Sequence, residues 1–112
     1  HRAGDACYKL GRYEQSIRYY ELSLRARPGY AVAYSNMGNS YIGMGNYAEA
    51  VEHFEEAVRL DPRYVDAYYN MGVAYLSMGQ PDGTRRCFAR VLELAPTHPQ
   101  ALQLREWLRL NP

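Results

Sequence analysis

The chain of 112 residues falls onto itself when it is shifted by 34 positions. Residues 33–45 read AYSNMGNSYIGMG and residues 67–79 read AYYNMGVAYLSMG. The shift aligns Ala33 with Ala67, Tyr34 with Tyr68, Asn36 with Asn70, Met37 with Met71 and Gly38 with Gly72. It also aligns Tyr41 with Tyr75, Met44 with Met78, Gly45 with Gly79, Phe54 with Phe88, Leu60 with Leu94 and Pro62 with Pro96. The same step backwards pairs Gly4 with Gly38, Gly11 with Gly45, Tyr13 with Tyr47, Pro28 with Pro62 and Tyr30 with Tyr64. Three copies in register mark a repeat array, in which each unit meets only its neighbours.

Each copy reads as two helices. Residues 33, 34, 37, 38 and 41 are apolar or small and keep to one side of a 3.6-residue period. Gly45 sits where a left-handed residue closes the first helix. A second stripe, Ala50, Val51, Phe54, Ala57 and Val58, ends at Asp61-Pro62, where proline blocks continuation. Two antiparallel helices cannot bury their apolar faces alone, so the copies must stack. Glycines 38 and 72, with Ala50 and Ala57, predict closely approaching helices whose gaps are filled by Tyr and Phe rings.

The period and these anchor residues resemble the tetratricopeptide repeat. The copy at 31–64 carries the signature at Tyr34, Met37, Gly38, Tyr41, Ala50, Phe54, Ala57 and Pro62. The copy at 65–98 keeps Tyr68, Met71, Gly72, Tyr75, Phe88 and Pro96, and departs at Thr84 and Val91, where small alanines are usual. The incomplete copy at 1–30 keeps Gly4, Tyr20 and Pro28 but has Cys7, Ser16 and Ser23 at signature positions. Residues 99–109 resemble the family's capping helix, with Ala101, Leu102, Leu104, Trp107 and Leu108 covering the last copy and Gln103, Arg105, Glu106 and Arg109 facing water. The resemblance implies an all-α fold, a right-handed α-solenoid of stacked antiparallel helix pairs forming one domain over 1–112.

The chemistry of an enzyme is not expected. Net charge is +1, which gives no electrostatic footprint for nucleic acid or an anionic membrane. No apolar run approaches the roughly 18 residues that span a bilayer. No secretory signal precedes the fold, which opens abruptly at His1, so location is left open with the cytoplasm favoured. Histidines 1, 53 and 98 fall at unrelated positions, with His53 expected half-buried or solvated. No metal site, cofactor motif or nucleophile-base grouping appears. Cys7 reads as buried and Cys87 as nearer the surface, too far apart to pair. Glu49, Glu52, Glu55 and Glu56 read as a solvated flank, with some of these charges meeting Arg85, Arg86 or Arg90 of the next copy.

The informative polar residues are asparagines. Asn36 and Asn70 take one position in successive copies, although Asn is inferior to Ala in a helix by up to about 0.7 kcal/mol. A carboxamide offers both donors and an acceptor, which suits the backbone of an extended peptide. The resemblance places first helices on the concave side of the solenoid, where steps of 3 and 4 select His1, Arg2, Asp5, Tyr8 and Lys9 in copy one. The same steps select Val32, Ser35, Asn36, Asn39, Ile42 and Gly43 in copy two, and Asp66, Tyr69, Asn70, Val73, Leu76 and Ser77 in copy three. With rungs about 10 Å apart and an extended chain advancing about 3.3 Å per residue, one rung meets every third residue. Asn36, Asn39 and Asn70 would then hold the main chain, while Tyr69, Val73, Leu76, Ile42 and Tyr8 select side chains.

One subclass of the family binds C-terminal carboxylates of heat-shock chaperones with Lys and Asn in the first repeat, Asn in the second, and Lys and Arg in the third. The corresponding residues here are His1, Asp5, Asn36, Asp66 and Asn70. Only Asn36 agrees, and Asp5 and Asp66 would repel an anion. The paired asparagines are more similar to the ladder in the repeat superhelix of the O-linked N-acetylglucosamine transferases, and no transferase domain is present among these residues. The expected function is a non-catalytic protein-binding module that takes a peptide, extended or helical, of a partner protein in its concave groove and acts as a scaffold or assembly adaptor. The alternatives are self-association through an open N-terminal face, or a substrate-presenting segment of a larger enzyme such as a glycosyltransferase.

Overall fold

In the computed structural model, residues 2–112 are described, with side chains from Gly11 onward. Six helices follow in order: α1 Arg2–Ala26, α2 Ala31–Gly43, α3 Tyr47–Leu60, α4 Val65–Ser77, α5 Pro81–Leu94 and α6 Ala101–Leu110. There are no strands among the described residues. Helix α1 packs on α2, α2 on α3, α3 on α4, α4 on α5 and α5 on α6. This is the stacked antiparallel solenoid that the repeat predicts.

The turns within copies two and three are made by their glycines. Gly45 and Gly79 have φ of +77° and +70°, a left-handed conformation that glycine enters without a Cβ penalty. At the first turn Gly45 N–H donates to the Ile42 carbonyl at 2.9 Å and Asn46 N–H to the Tyr41 carbonyl at 2.8 Å. Gly79 and Gln80 repeat the pattern on Leu76 and Tyr75 at 3.1 and 2.9 Å. These paired bonds satisfy carbonyls that a helix end leaves bare, and they reverse the chain so that α3 returns along α2.

Copy one does not turn. The sequence expects Gly11 to break it into two helices, yet α1 runs unbroken through Gly11, which has no positive φ. The reason lies in what a returning pair would gain. Where copies two and three place Met and Tyr on the first helix, copy one has Ala3 and Cys7, and Ser16 and Ser23 replace alanines on the second. A tyrosine ring buries about 150–250 Å². Without that gain, continuing the helix costs only the propensity of one glycine, about 1 kcal/mol.

Between paired helices the contact is glycine against phenylalanine. A Cβ on Gly38 would lie 2.7–2.9 Å from the Phe54 ring, and one on Gly72 would lie 2.6–2.7 Å from the Phe88 ring. Alanines 33, 50, 57, 67 and 74 are fully buried around these rings. Thr84, at one of the usual alanine positions, is also fully buried, and its hydroxyl donates to the Gly72 or Gln80 carbonyl at 3.3 and 3.2 Å. The bond offsets the cost of burying an oxygen. Val91 fills the other alanine position against Phe88 and Leu104.

Helix α6 covers that end of the core with Ala101, Leu104, Trp107 and Leu108, and Trp107 meets Phe88 edge-on at 5.5 Å. Leu102 corrects the expectation. It is 79 % exposed, because it points away from α5 and not onto it. Arg85 donates to the Asn111 carbonyl at 3.1 Å, which ties the end of α6 back to α5.

Two glycine substitutions of opposite sign test this account. Gly72→Ala overfills a rigid contact and should lower unfolding free energy by about 1–3 kcal/mol. Gly11→Ala meets nothing within 4 Å and should raise it by about 0.5–1 kcal/mol. Urea denaturation measures both, and destabilisation by Gly11→Ala would show that the chain turns there after all.

Candidate peptide-binding groove

Helices α2 and α4 touch each other directly, whereas α1 does not reach α3, nor α3 reach α5, among the described residues. The row of first helices is therefore the tighter, inner row of the stack, and its free side is the concave one. Positions on that side are set by the buried positions around them: Ala33, Met37 and Gly38 on α2, and Ala67, Met71 and Gly72 on α4, face the second helices.

Asn36 and Asn70 are half-buried, and neither side chain has a hydrogen-bond partner among the described residues. The Asn36 main-chain carbonyl also accepts from the Ser40 hydroxyl at 3.2 Å. Asn39 is exposed, Leu76 is 46 % exposed, and Val73 is half-buried beside them. Ile42 packs part of its surface on the core. Two expected groove positions turn inward. Ser35 is buried, and the Tyr69 ring stacks on Phe88 at 6.1 Å and tilts against His98 at 5.5 Å. Tyr69 joins α4 to the core made by Phe88, Val91 and Leu104. His1, Arg2, Asp5, Tyr8 and Lys9 lie outside the residues whose side chains are described.

The described groove is nearly free of charge. Helix α2 carries no ionisable group except tyrosine, and α4 adds only Asp66, which is exposed. The ion pairs expected between copies do not form. Arg85 pairs with Asp82 at 3.0 Å, Arg90 with Glu93 at 2.9 Å, and Glu56 with Arg59, each within its own helix. Three-residue spacing puts those partners side by side, so the local pair wins. What does cross between copies is the Tyr75 hydroxyl, which donates to Glu55 at 3.2 Å.

That bond edges a feature the sequence does not announce. On a different side of α4 from Asn70, Glu55, Tyr68, Met71, Tyr75, Arg86 and Cys87 line an open cleft of about 200 Å³ between α3, α4 and α5. Cys87 was expected near the surface. It is buried, and burial pushes its thiol from the ordinary 9.0 up to about 11; Arg86 opposes this and Glu55 adds to it. The signal available in the sequence is the 34-residue shift, which sets Cys87 opposite His53. No cluster of metal-binding type occurs among the described residues, and none of their helices is long and apolar enough to cross a membrane.

Among solved structures, this chain is similar to the first TPR of Spaghetti (RPAP3) bound to the HSP90 peptide SRMEEVD. Identity is 27 % over 97 % of this chain and 89 % of that one, with a TM-score of 0.81. It is similar to the second TPR domain of human RPAP3, solved in complex with the HSP70 peptide SGPTIEEVD, at 27 % identity over 96 % and 90 % of the two chains, with a TM-score of 0.79. The Arabidopsis OM64 TPR domain shares the fold at 22 % identity over 97 % and 90 %, with a TM-score of 0.83. No curated protein sequence matches the chain significantly. A family model described as TPR repeat matches residues 4–45 and 38–79, and one described as tetratricopeptide repeat matches 65–98. Together with the glycine turns and the paired helices, these matches make the chain a member of the tetratricopeptide repeat family.

Proposed function

We propose that the chain is a non-catalytic adaptor that holds an extended, non-acidic segment of a protein partner along the inner side of α2 and α4. One observation carries this reading. Asn36 and Asn70 repeat at one position, at some cost to helix propensity, and neither amide is used by the described protein. Each rung offers donors and an acceptor to a passing peptide unit, and Asn39 adds a third carboxamide. Val73, Leu76 and Ile42 stand beside the rungs to select apolar side chains, while Tyr69 stiffens the wall.

Peptide complexes of two similar domains support the general role. The peptides in those complexes end in EEVD. Where the chaperone-binding pattern has Lys and Arg in its third repeat, this chain has Asp66 and Asn70. Charge-assisted bonds to a carboxylate are roughly twice as strong as neutral ones, and Asp66 reverses the sign of one of them. A neutral backbone ladder fits this surface better than a carboxylate clamp.

Self-association is a second reading, favoured by one observation on α1. Tyr19 and Leu22 are 65 % and 61 % exposed, large apolar side chains on a helix that, among the described residues, packs on α2 alone. A sedimentation coefficient that rises with protein concentration, and stops rising in Leu22→Glu, would establish it. A concentration-independent monomer would remove it.

Random-library panning followed by fluorescence anisotropy tests the ladder. Selected peptides should lose at least tenfold in affinity, about 1.4 kcal/mol, on the double variant Asn36→Ala with Asn70→Ala. The variant's melting temperature should hold or rise, since each alanine gains up to about 0.7 kcal/mol in helix propensity. Unchanged affinity on the folded variant would overturn the ladder. Peptides ending in EEVD should bind the parent no better than scrambled ones, and should gain affinity on Asp66→Lys with Asn70→Arg.

A further inference from the structure

The repeat supplies an internal template for the cleft between α3, α4 and α5. Its walls are Glu55, Tyr68, Met71, Tyr75, Arg86 and Cys87. Thirty-four residues earlier the same positions hold Glu21, Tyr34, Met37, Tyr41, Glu52 and His53. There the space is occupied. The His53 ring lies 4.9 Å from the Tyr41 ring, tilted by 32°, and 6.3 Å from that of Tyr34. It donates from Nδ1 to the Glu49 carbonyl at 2.8 Å. The acidic neighbour recurs too: Glu21 acts on Tyr41, as Glu55 does on Tyr75. Two tyrosines, a methionine and a glutamate are therefore common to both places, and the imidazole between the tyrosines is missing from the second.

We infer that this cleft is a binding site for the neutral imidazole ring of a histidine on a protein partner, seated between Tyr68 and Tyr75 as His53 is seated between Tyr34 and Tyr41. Size limits the occupant. About 200 Å³ is below the roughly 300–1,000 Å³ of pockets that take a drug-sized ligand, and suits one ring on a short stem. Polarity narrows it further. Glu55 presents carboxylate oxygens, with acceptor capacity beyond the bond from Tyr75. Arg86, where copy two has Glu52, presents donors only, and the two opposite charges leave no net preference for an ion. A neutral imidazole carries one N–H donor and one acceptor nitrogen, the complement of that pair. A phenyl ring would leave both unanswered, and an indole offers a donor alone. The site is separate from the asparagine ladder, so a single partner can engage both sides of α4.

Proton NMR of the full chain at pH 8.5, where histidine is neutral, tests the site with two probes, free imidazole and a blocked histidine amide. Both should give saturable shifts of the Tyr68 and Tyr75 ring protons. Cys87→His should abolish them, because its own ring would fill the slot as His53 does, while Cys87→Ser should retain them. Arg86→Ala, at an exposed position, and replacement of imidazole by N-methylimidazole should each weaken binding at least fivefold. The Arg86 variant decides the matter should Cys87→His fail to fold. Shifts that do not saturate, or that persist in Cys87→His, would overturn the site. Imidazole binding without binding of the blocked histidine would overturn its assignment to a protein side chain. Asparagine-ladder variants should leave these shifts unchanged.

Discussion

The two helix pairs at the centre of this molecule are spaced by one contact, a phenylalanine ring lying on the bare backbone of a glycine. Gly38 and Gly72 have rings where a Cβ would need to be, at 2.6–2.9 Å. Glycine in mid-helix costs about 0.5–1 kcal/mol against alanine, and what it allows is a helix separation that a side chain would forbid. Once that separation is set, the flanking positions take small side chains, five of them fully buried alanines, with Thr84 and Val91 filling two equivalent places in copy three. Tyrosines then close the wider gaps towards the neighbouring copy. The register of helix α6 continues the period, but Glu106 stands at the glycine position, and Arg105 and Arg109 stand where Met and Tyr would be. Its outer side cannot receive another phenylalanine in this manner, so α6 keeps the repeat's phase without its contact.

How much of this was legible depends on whether the deciding interaction is local. The turns at Gly45 and Gly79 were, because a left-handed glycine followed by a returning apolar stripe is a signal contained in a few residues. Gly11 carries the same letter at the same place, yet the helix runs through it. A turn is stabilised by the pairing it permits, and that pairing depends on Ala3, Cys7, Ser16 and Ser23 together, not on the glycine. Leu102 reads as core by its period and projects into solvent, since a helix packed on one neighbour has more apolar positions than that neighbour can cover. The arginines of α5 are drawn to Asp82 and Glu93 three residues away before they can reach another helix.

The candidate groove was legible in part for the same reason. Asn36 and Asn70 stand out because they oppose helix propensity in two copies at once. Ser35 and Tyr69 share a repeat position and both turn inward, but Tyr69 does so by stacking on Phe88 and His98, partners from α5 and the segment before α6. No period count within α4 reveals that. The charge of the groove, by contrast, is set by composition alone. With Asp66 as the one charged group on α2 and α4, the nearly uncharged character of their share of the groove follows directly from the residues present.

A repeat that builds its core from a few fixed contacts leaves the other positions free to diverge, and the divergent positions show where copies differ in use. Glu49 gives way to Gly83, which lets the Tyr75 ring lie directly against α5. His53 gives way to Cys87, which shortens the side chain between two tyrosines and opens the cleft. Neither change disturbs the glycine–phenylalanine contact beside it. Asn36 and Asn70 behave in the opposite way: the core does not need them, yet they are the same in both copies. Positions that recur without packing and positions that diverge without unpacking are the two places where folding alone does not account for the residue. In this chain they lie on different sides of α4, the helix on which both the proposed peptide ladder and the proposed ring slot are placed.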